Sequence, residues 1–220
     1  MEAKKHEKPT KSIFETYPQL EHDEWIRVDI HRKENQVKGR TEAIVKGIKA
    51  LVEKGHKVCF VEMNTTKDSM EKYHLMPIFE KLKSNKNFLY TPLWPEFANV
   101  LEFYQSEHCR TALTDSGGVQ EDMNLLHKPC ITVRFNTDRP ETIMQIKNNV
   151  LAPPITPGFF AKTVDAVCSN DALLKEMTKQ QEIYGEKVAE KFIHTIKEFM
   201  QSNKRPMSWA HNDLGYDIEE

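Results

Sequence analysis

The chain has 220 residues, 39% of them apolar and 29% charged, with 31 Lys and Arg against 33 Asp and Glu for a formal charge of −2. That length allows one large domain with a substantial buried core, and the balanced charge offers no bulk field for nucleic acid or an anionic membrane, so any anion site has to be local. No run approaches the roughly 18 apolar residues of a spanning helix, and the opening MEAKKHEKPTKS lacks the apolar stretch of a secretory signal; the sequence reads as a cytoplasmic protein without a membrane partner.

Residues 1–24 are polar, carry Pro9 and Pro18 and show no sustained period, which predicts a flexible lead or linker remnant. Trp25, Ile26, Val28 and Ile30 then form a short β-rich run, and Arg40 to Glu53 carries Ile44, Gly47, Ile48, Leu51 and Val52 on one helical face, with Gly55 placed to end it. The order repeats. A strand is expected over Lys57 to Glu62, a helix interrupted at Pro77 over Asp68 to Lys83, and a strand over Asn87 to Tyr90. Phe97 to Ser106 reads as helix, Arg110 to Thr114 as strand, Gly118 to Leu126 as helix and Pro129 to Phe135 as strand. Short apolar strands alternating with helices predict βαβ units and a Rossmann-like α/β fold, its parallel sheet covered by helices on both faces. PPITPGFF at 153–160 is a breaker segment, a helical stretch follows from 161 to about 203 ending in the amphipathic VAEKFIHTIKEFM, and 204–220 form a polar tail. The folded domain therefore spans 25–203.

Cys59, Cys109, Cys130 and Cys168 are widely spaced beside apolar runs, and the nine histidines show no ligand spacing. Buried reduced thiols are expected, with no metal and no cofactor.

In such sheets ligands bind beyond the carboxyl ends of the strands, so the strand-to-loop junctions carry the functional expectations. The first is Thr114-Asp115-Ser116-Gly117-Gly118-Val119-Gln120-Glu121-Asp122. Two glycines at the start of a helix cost about 1 kcal/mol each relative to alanine, and close approach of an anion to the helix N–H groups is one reason to keep them. The other is a tight turn with Ser116 as N-cap. His31-Arg32-Lys33-Glu34-Asn35 follows another strand and offers three side chains that can carry positive charge, or a solvated turn. At the third junction, Arg134 to Glu141, Asp138 and Glu141 are spaced as a capping box with Pro140 in the first turn, which leaves Arg134 and Arg139 as guanidiniums suited to phosphate.

Together, TDSGGVQED, Lys128-Pro129, R-x-x-T-D-R-P-E at 134–141, HRKEN and Tyr184-Gly185-Glu186-Lys187-Val188-Ala189 resemble the C-terminal half of the non-hydrolysing UDP-N-acetylglucosamine 2-epimerases, over about residues 25–200. The resemblance implies one half of a GT-B-like fold that binds UDP or a UDP-N-acetylhexosamine. Epimerisation would then need an N-terminal domain, in cis or in trans, and a homo-oligomer is compatible with it. It further implies that His31 sits near the diphosphate and the reacting sugar, that Ser116, Gly117 and Gly118 hold the diphosphate, that Asp122 binds the ribose, that Arg139 contacts the nucleotide-sugar, with Arg134 beside it, and that Phe97 neighbours the uracil. Asp122 stands where the family has glutamate, and EMNTTKDS at 62–69 lacks the family's histidine and prolines. Two further readings stand beside the epimerase half: a nucleotide-sugar module without catalysis, and half of a diverged GT-B glycosyltransferase.

Overall fold

The structure is a computed structural model that describes residues 8–179, 184 and 187–202. Six described strands form one parallel sheet: β1 (Trp25–Asp29), β2 (Val58–Val61), β3 (Phe88–Thr91), β4 (Cys109–Thr114), β5 (Cys130–Thr132) and β6 (Asn149–Leu151), in the order β3-β2-β1-β4-β5-β6. Alternation along the strands divides the core in two. Ile26, Val28 and Val58 pack with Ile44, Ile48 and Leu51 of α2 (Lys38–Glu53) and Phe160 and Val164 of α8 (Pro157–Cys168), a face shared with α4 (Met76–Leu82) and α9 (Asp171–Met177). Trp25, Cys59 and Val61 point the other way, toward Phe103 and Tyr104 of α5 (Phe97–Gln105) and Met123 of α6 (Gly117–Leu125). The fold is Rossmann-like α/β with helices on both faces, as the strand and helix pattern predicts. Among the described residues no helix is long and apolar enough to cross a membrane.

Two local expectations are corrected and one strand is added. Residues 8–24 are not a flexible lead: α1 (Ile13–Thr16) and the turn after it bury Ile13 and Leu20 completely against α5. The Ile13 N–H donates to Glu102 Oε2 at 2.8 Å, and Asn99 Nδ2 to the Lys11 carbonyl at 2.8 Å. Two anchors seven residues apart in a polar string make no period, so the pattern hides them. The helix expected over 68–83 is two, α3 (Asn64–Lys72) and α4, and the break lies at His74, whose φ is 57°, while Pro77 sits in the first turn of α4, where its missing N–H goes unmissed. β6 was not expected, because its polar Asn149 breaks the apolar run. Buried Asn149 is satisfied by Thr132 Oγ1, Gln120 Oε1 and Thr142 Oγ1, at 2.8, 3.0 and 2.9 Å. The helical stretch expected from 161 on is made of several helices, α8 ending at Cys168. Asn170 caps α9 by accepting from the Leu173 N–H, and α10 (Val188–Gln201) comes later. Gly185 and Glu186 of the Tyr184–Ala189 string, the tail from 203 to 220 and residues 1–7 lie outside the described residues.

The chain divides into two compact units, 1–182 and 183–220. The first holds the sheet and nine described helices. α10 is the helix of the second, and its Phe192, Ile193, Ile196 and Met200 are exposed.

Gly47 sets how closely α2 approaches α8. A Cβ there would overlap the Phe160 ring and come within 3.3 Å of the Pro157 carbonyl oxygen. Alanine gains about 1 kcal/mol of helix propensity, but overpacking costs about 1–3 kcal/mol. Gly47→Ala should therefore lower the unfolding free energy in urea, and the loss should shrink when Phe160→Leu makes room. A loss unchanged by Phe160→Leu would mean that the ring does not set the spacing.

Candidate functional site

A strand order of 3-2-1-4-5-6 reverses direction between β1 and β4, and open α/β sheets bind ligands in the crevice at that switch point. Asp29 at the end of β1 pairs in register with Thr114 at the end of β4, so the loops that follow, 30–36 and 115–116, run side by side.

Asp115 joins them. Its carboxylate is fully buried; Oδ1 accepts the His31 N–H at 3.0 Å, and Oδ2 accepts the Arg32 N–H and Asn35 Nδ2, each at 2.9 Å. His31 Nδ1 lies 3.3 Å from Oδ1. Asn35 Nδ2 also donates to the Val133 carbonyl at 2.8 Å, which ties the same loop to the end of β5. Asp115 is therefore the functional-edge residue that the sequence reading quoted without a role. The available signal was a carboxylate directly after a strand, facing a neighbouring strand's loop.

α6 begins at Gly117 with Ser116 as N-cap, whose Oγ accepts the Val119 N–H at 3.4 Å. The first-turn N–H groups of a helix have no partner within it and carry its positive end. In front of Gly117 stands Asp138: a Cβ on the glycine would lie 3.3 Å from Asp138 Oδ1 and 3.5 Å from Arg32 Nη2. Three guanidiniums surround that carboxylate. Arg134 Nη1 donates to Oδ1 at 2.8 Å, Arg32 Nη2 to Oδ2 at 3.3 Å, and Arg139 Nη1 lies 3.9 Å from Oδ2. Burial alone would raise the Asp138 carboxyl, but a backbone N–H and the charges of Arg134 and Arg32 hold it below the ordinary aspartate value.

The capping box expected from Asp138 and Glu141 does not form. The N-cap of α7 (Glu141–Met144) is Pro140, without a side-chain cap, because Asp138 is drawn to the arginines instead. Arg134 is buried and also donates through Nε to Glu34 Oε1 at 2.8 Å. Arg139 pairs with Glu121, one turn into α6. Gln120 is structural, accepting from Thr137 Oγ1 at 2.6 Å and donating to the Ser116 carbonyl at 3.1 Å.

The structure thus brings His31, Arg32, Ser116, Gly117, Arg134 and Arg139 to one edge of the sheet. Gly118 is the second residue of α6. Asp122 lies on α6 at 5% exposure, almost closed to solvent, and Phe97 opens α5 on the β3-to-β4 connection at 41% exposure.

Beneath the crevice lies a polar cluster that the apolar reading of β1 passed over. Buried Arg27 pairs with Asp29, donates to Tyr104 OH at 2.7 Å and stacks 4.6 Å from the Trp94 ring centroid, while Thr114 Oγ1 donates to Asp29. Burial pushes the Asp29 carboxyl above the usual range. The four cysteines are free and buried as expected, and burial pushes Cys59, Cys109 and Cys168 up to about 12.

The sequence model of the family described as UDP-N-acetylglucosamine 2-epimerase matches residues 1–197. This chain belongs to that family. A curated relative, the UDP-N-acetylglucosamine 2-epimerase of Methanocaldococcus jannaschii, is 39% identical over 132 residues, which is 59% of this chain and 34% of that protein. The solved structure of M. jannaschii UDP-GlcNAc 2-epimerase in complex with UDP-GlcNAc and UDP superposes with a TM-score of 0.66 at 27% identity, covering 86% of this chain and 49% of that one. S. aureus MnaA, solved with UDP, shares the fold with a TM-score of 0.67 at 20% identity, over 89% of this chain and 51% of that one. This epimerase-family chain therefore spans about half the length of the solved relatives.

Proposed function

We propose that the crevice binds the diphosphate of UDP or a UDP-N-acetylhexosamine, and that the chain serves as the nucleotide-holding half of a UDP-N-acetylglucosamine 2-epimerase. The observation that carries this reading is the gathering of Arg32, Arg134 and Arg139 around the Asp138 carboxylate, which stands in front of the Gly117 start of α6, with Glu34 and Glu121 also paired to Arg134 and Arg139. Helix N–H groups and guanidiniums together make an anion site, and Asp138 occupies it as an internal anion that the diphosphate would displace. Ser116 and Gly118 flank the phosphates and Phe97 neighbours the uracil, while Asp122, almost closed to solvent, would meet the ribose hydroxyls only after its side chain moves.

The same donors have a chemical use. Epimerisation at C2 through loss and return of UDP builds negative charge on the departing diphosphate, which preorganised donors stabilise without rearranging at the moment of reaction. His31, at the edge of the crevice, stands nearest the sugar. The reaction also needs acid and base groups on the opposite wall, for which an N-terminal domain is the partner. The exposed apolar side chains of α10 support a companion domain.

Thermal unfolding with and without nucleotide tests the reading. UDP at 100 times its Kd should add about 2.7 kcal/mol, a shift of a few degrees in Tm. Equal shifts with ADP and GDP would remove uridine specificity, and no shift with any nucleotide would remove the binding site.

A further inference from the structure

We infer that Asp115 is a positioning residue whose buried carboxylate fixes the backbone of His31 and Arg32, and so aims the imidazole and the guanidinium at the anion crevice.

A carboxylate has about four acceptor positions. Two backbone N–H groups and one side-chain amide occupy three of them at 2.9–3.0 Å, while His31 Nδ1 lies 3.3 Å from Oδ1 without a hydrogen bond. All of these donors belong to a loop 80–84 residues away in sequence, so the contact is not a local turn closing on itself. Asp115 is fully buried, so these hydrogen bonds are closed to solvent. The direct target is main chain. Anchoring two successive N–H groups fixes the direction in which both side chains leave the loop, which a contact to either side chain alone would not do. Arg32 leaves toward Gly117, and the partly exposed His31 ring leaves with Nδ1 turned toward Asp115. Asp115 has no surface with which to meet a ligand itself; whatever it does for binding, it does through its two neighbours.

The part of this inference that concerns ligand rests on the UDP reading, and the test separates the two. Asp115→Asn keeps the shape but turns one acceptor into a donor facing a donor. Asp115→Glu keeps the charge and moves it by one methylene. Whichever variant retains the wild-type far-UV circular dichroism spectrum is used. Native-state hydrogen exchange needs no nucleotide: protection of the His31 and Arg32 amides should fall about tenfold or more, with the amides of β1 unchanged. Equal protection in variant and wild type would overturn the inference whether or not UDP binds.

Calorimetry with UDP supplies the second arm. The variant should weaken binding by roughly ten- to a hundredfold in the wild-type background and by less than about twofold in His31→Ala/Arg32→Ala. A role confined to the stability of the site would cost the same in both backgrounds, and that result would contradict positioning. Failure of the wild-type chain to bind UDP would count against the proposed function alone and leave the exchange result to decide on Asp115.

Discussion

Incubated with this chain alone in deuterium oxide, UDP-N-acetylglucosamine should keep its proton at C2. Inversion there requires a proton to leave one face of the sugar and another to arrive on the opposite face, and each positioned acid or base contributes roughly 10²–10⁴ in rate. The crevice supplies one wall. His31 stands on it with Nδ1 facing Asp115, and the Glu34 carboxylate accepts from Arg134 Nε at 2.8 Å. An open crevice also leaves the sugar in bulk water, so the groups that are present act in a high dielectric. Deuterium at C2, followed by NMR, should appear when the N-terminal half of a family member is supplied. Exchange by the chain alone, lost in His31→Ala, would mean that these residues form a complete active site, for example between two copies.

Gly117→Val should abolish the UDP-induced rise in Tm while leaving the fold nearly as stable as before. The added Cβ would stand 3.3 Å from Asp138 Oδ1 and 3.5 Å from Arg32 Nη2, on the ground proposed for the diphosphate, and the branched methyls would reach further into it. Valine is a slightly better helix residue than glycine, so stability should change by no more than about 1 kcal/mol. Gly118 is a useful contrast: the nearest atom to a Cβ there is Ser116 Oγ at 3.9 Å, which leaves space. Arg139→Ala, which removes one guanidinium and frees Glu121, should weaken UDP binding by about 1.5–3 kcal/mol. Wild-type affinity in both variants would put the anion site elsewhere.

Legibility in the sequence follows the range of the interactions. β1 to β5 were readable because parallel strands buried on both faces appear as short apolar runs, and α2, α5 and α6 because their apolar residues repeat on one face. Arg27 and Asp29 inside β1 gave no such signal: their partners Tyr104 and Thr114 come from α5 and β4, 75–85 residues on. Asn149 reads as a loop residue until Gln120 and Thr142 are placed around it.

The site divides in the same way. Its glycines and arginines were legible from residue type and junction. Asp115 and Asp138 were not, because what they do depends on loops that only the sheet order brings together. Asp138 makes the point most sharply: its spacing to Glu141 fits a capping box, yet three nearby guanidiniums outcompete the helix N–H groups for its carboxylate.

The structure also has an open hollow of about 570 Å³ between α2 and α4, lined by Lys49, Glu53, Pro77, Ile78 and Lys81, none of which belongs to the three loops of the crevice. Its two lysines make it the competing location for an anion. Titrating UDP into the nitrogen-15-labelled chain and following the backbone amide resonances distinguishes the two directly. The largest shifts should fall on 31–35, 116–118 and 134–139, at the carboxyl ends of β1, β4 and β5. Shifts centred on Lys49 and Lys81, with those three loops unmoved, would contradict the assignment of the nucleotide site.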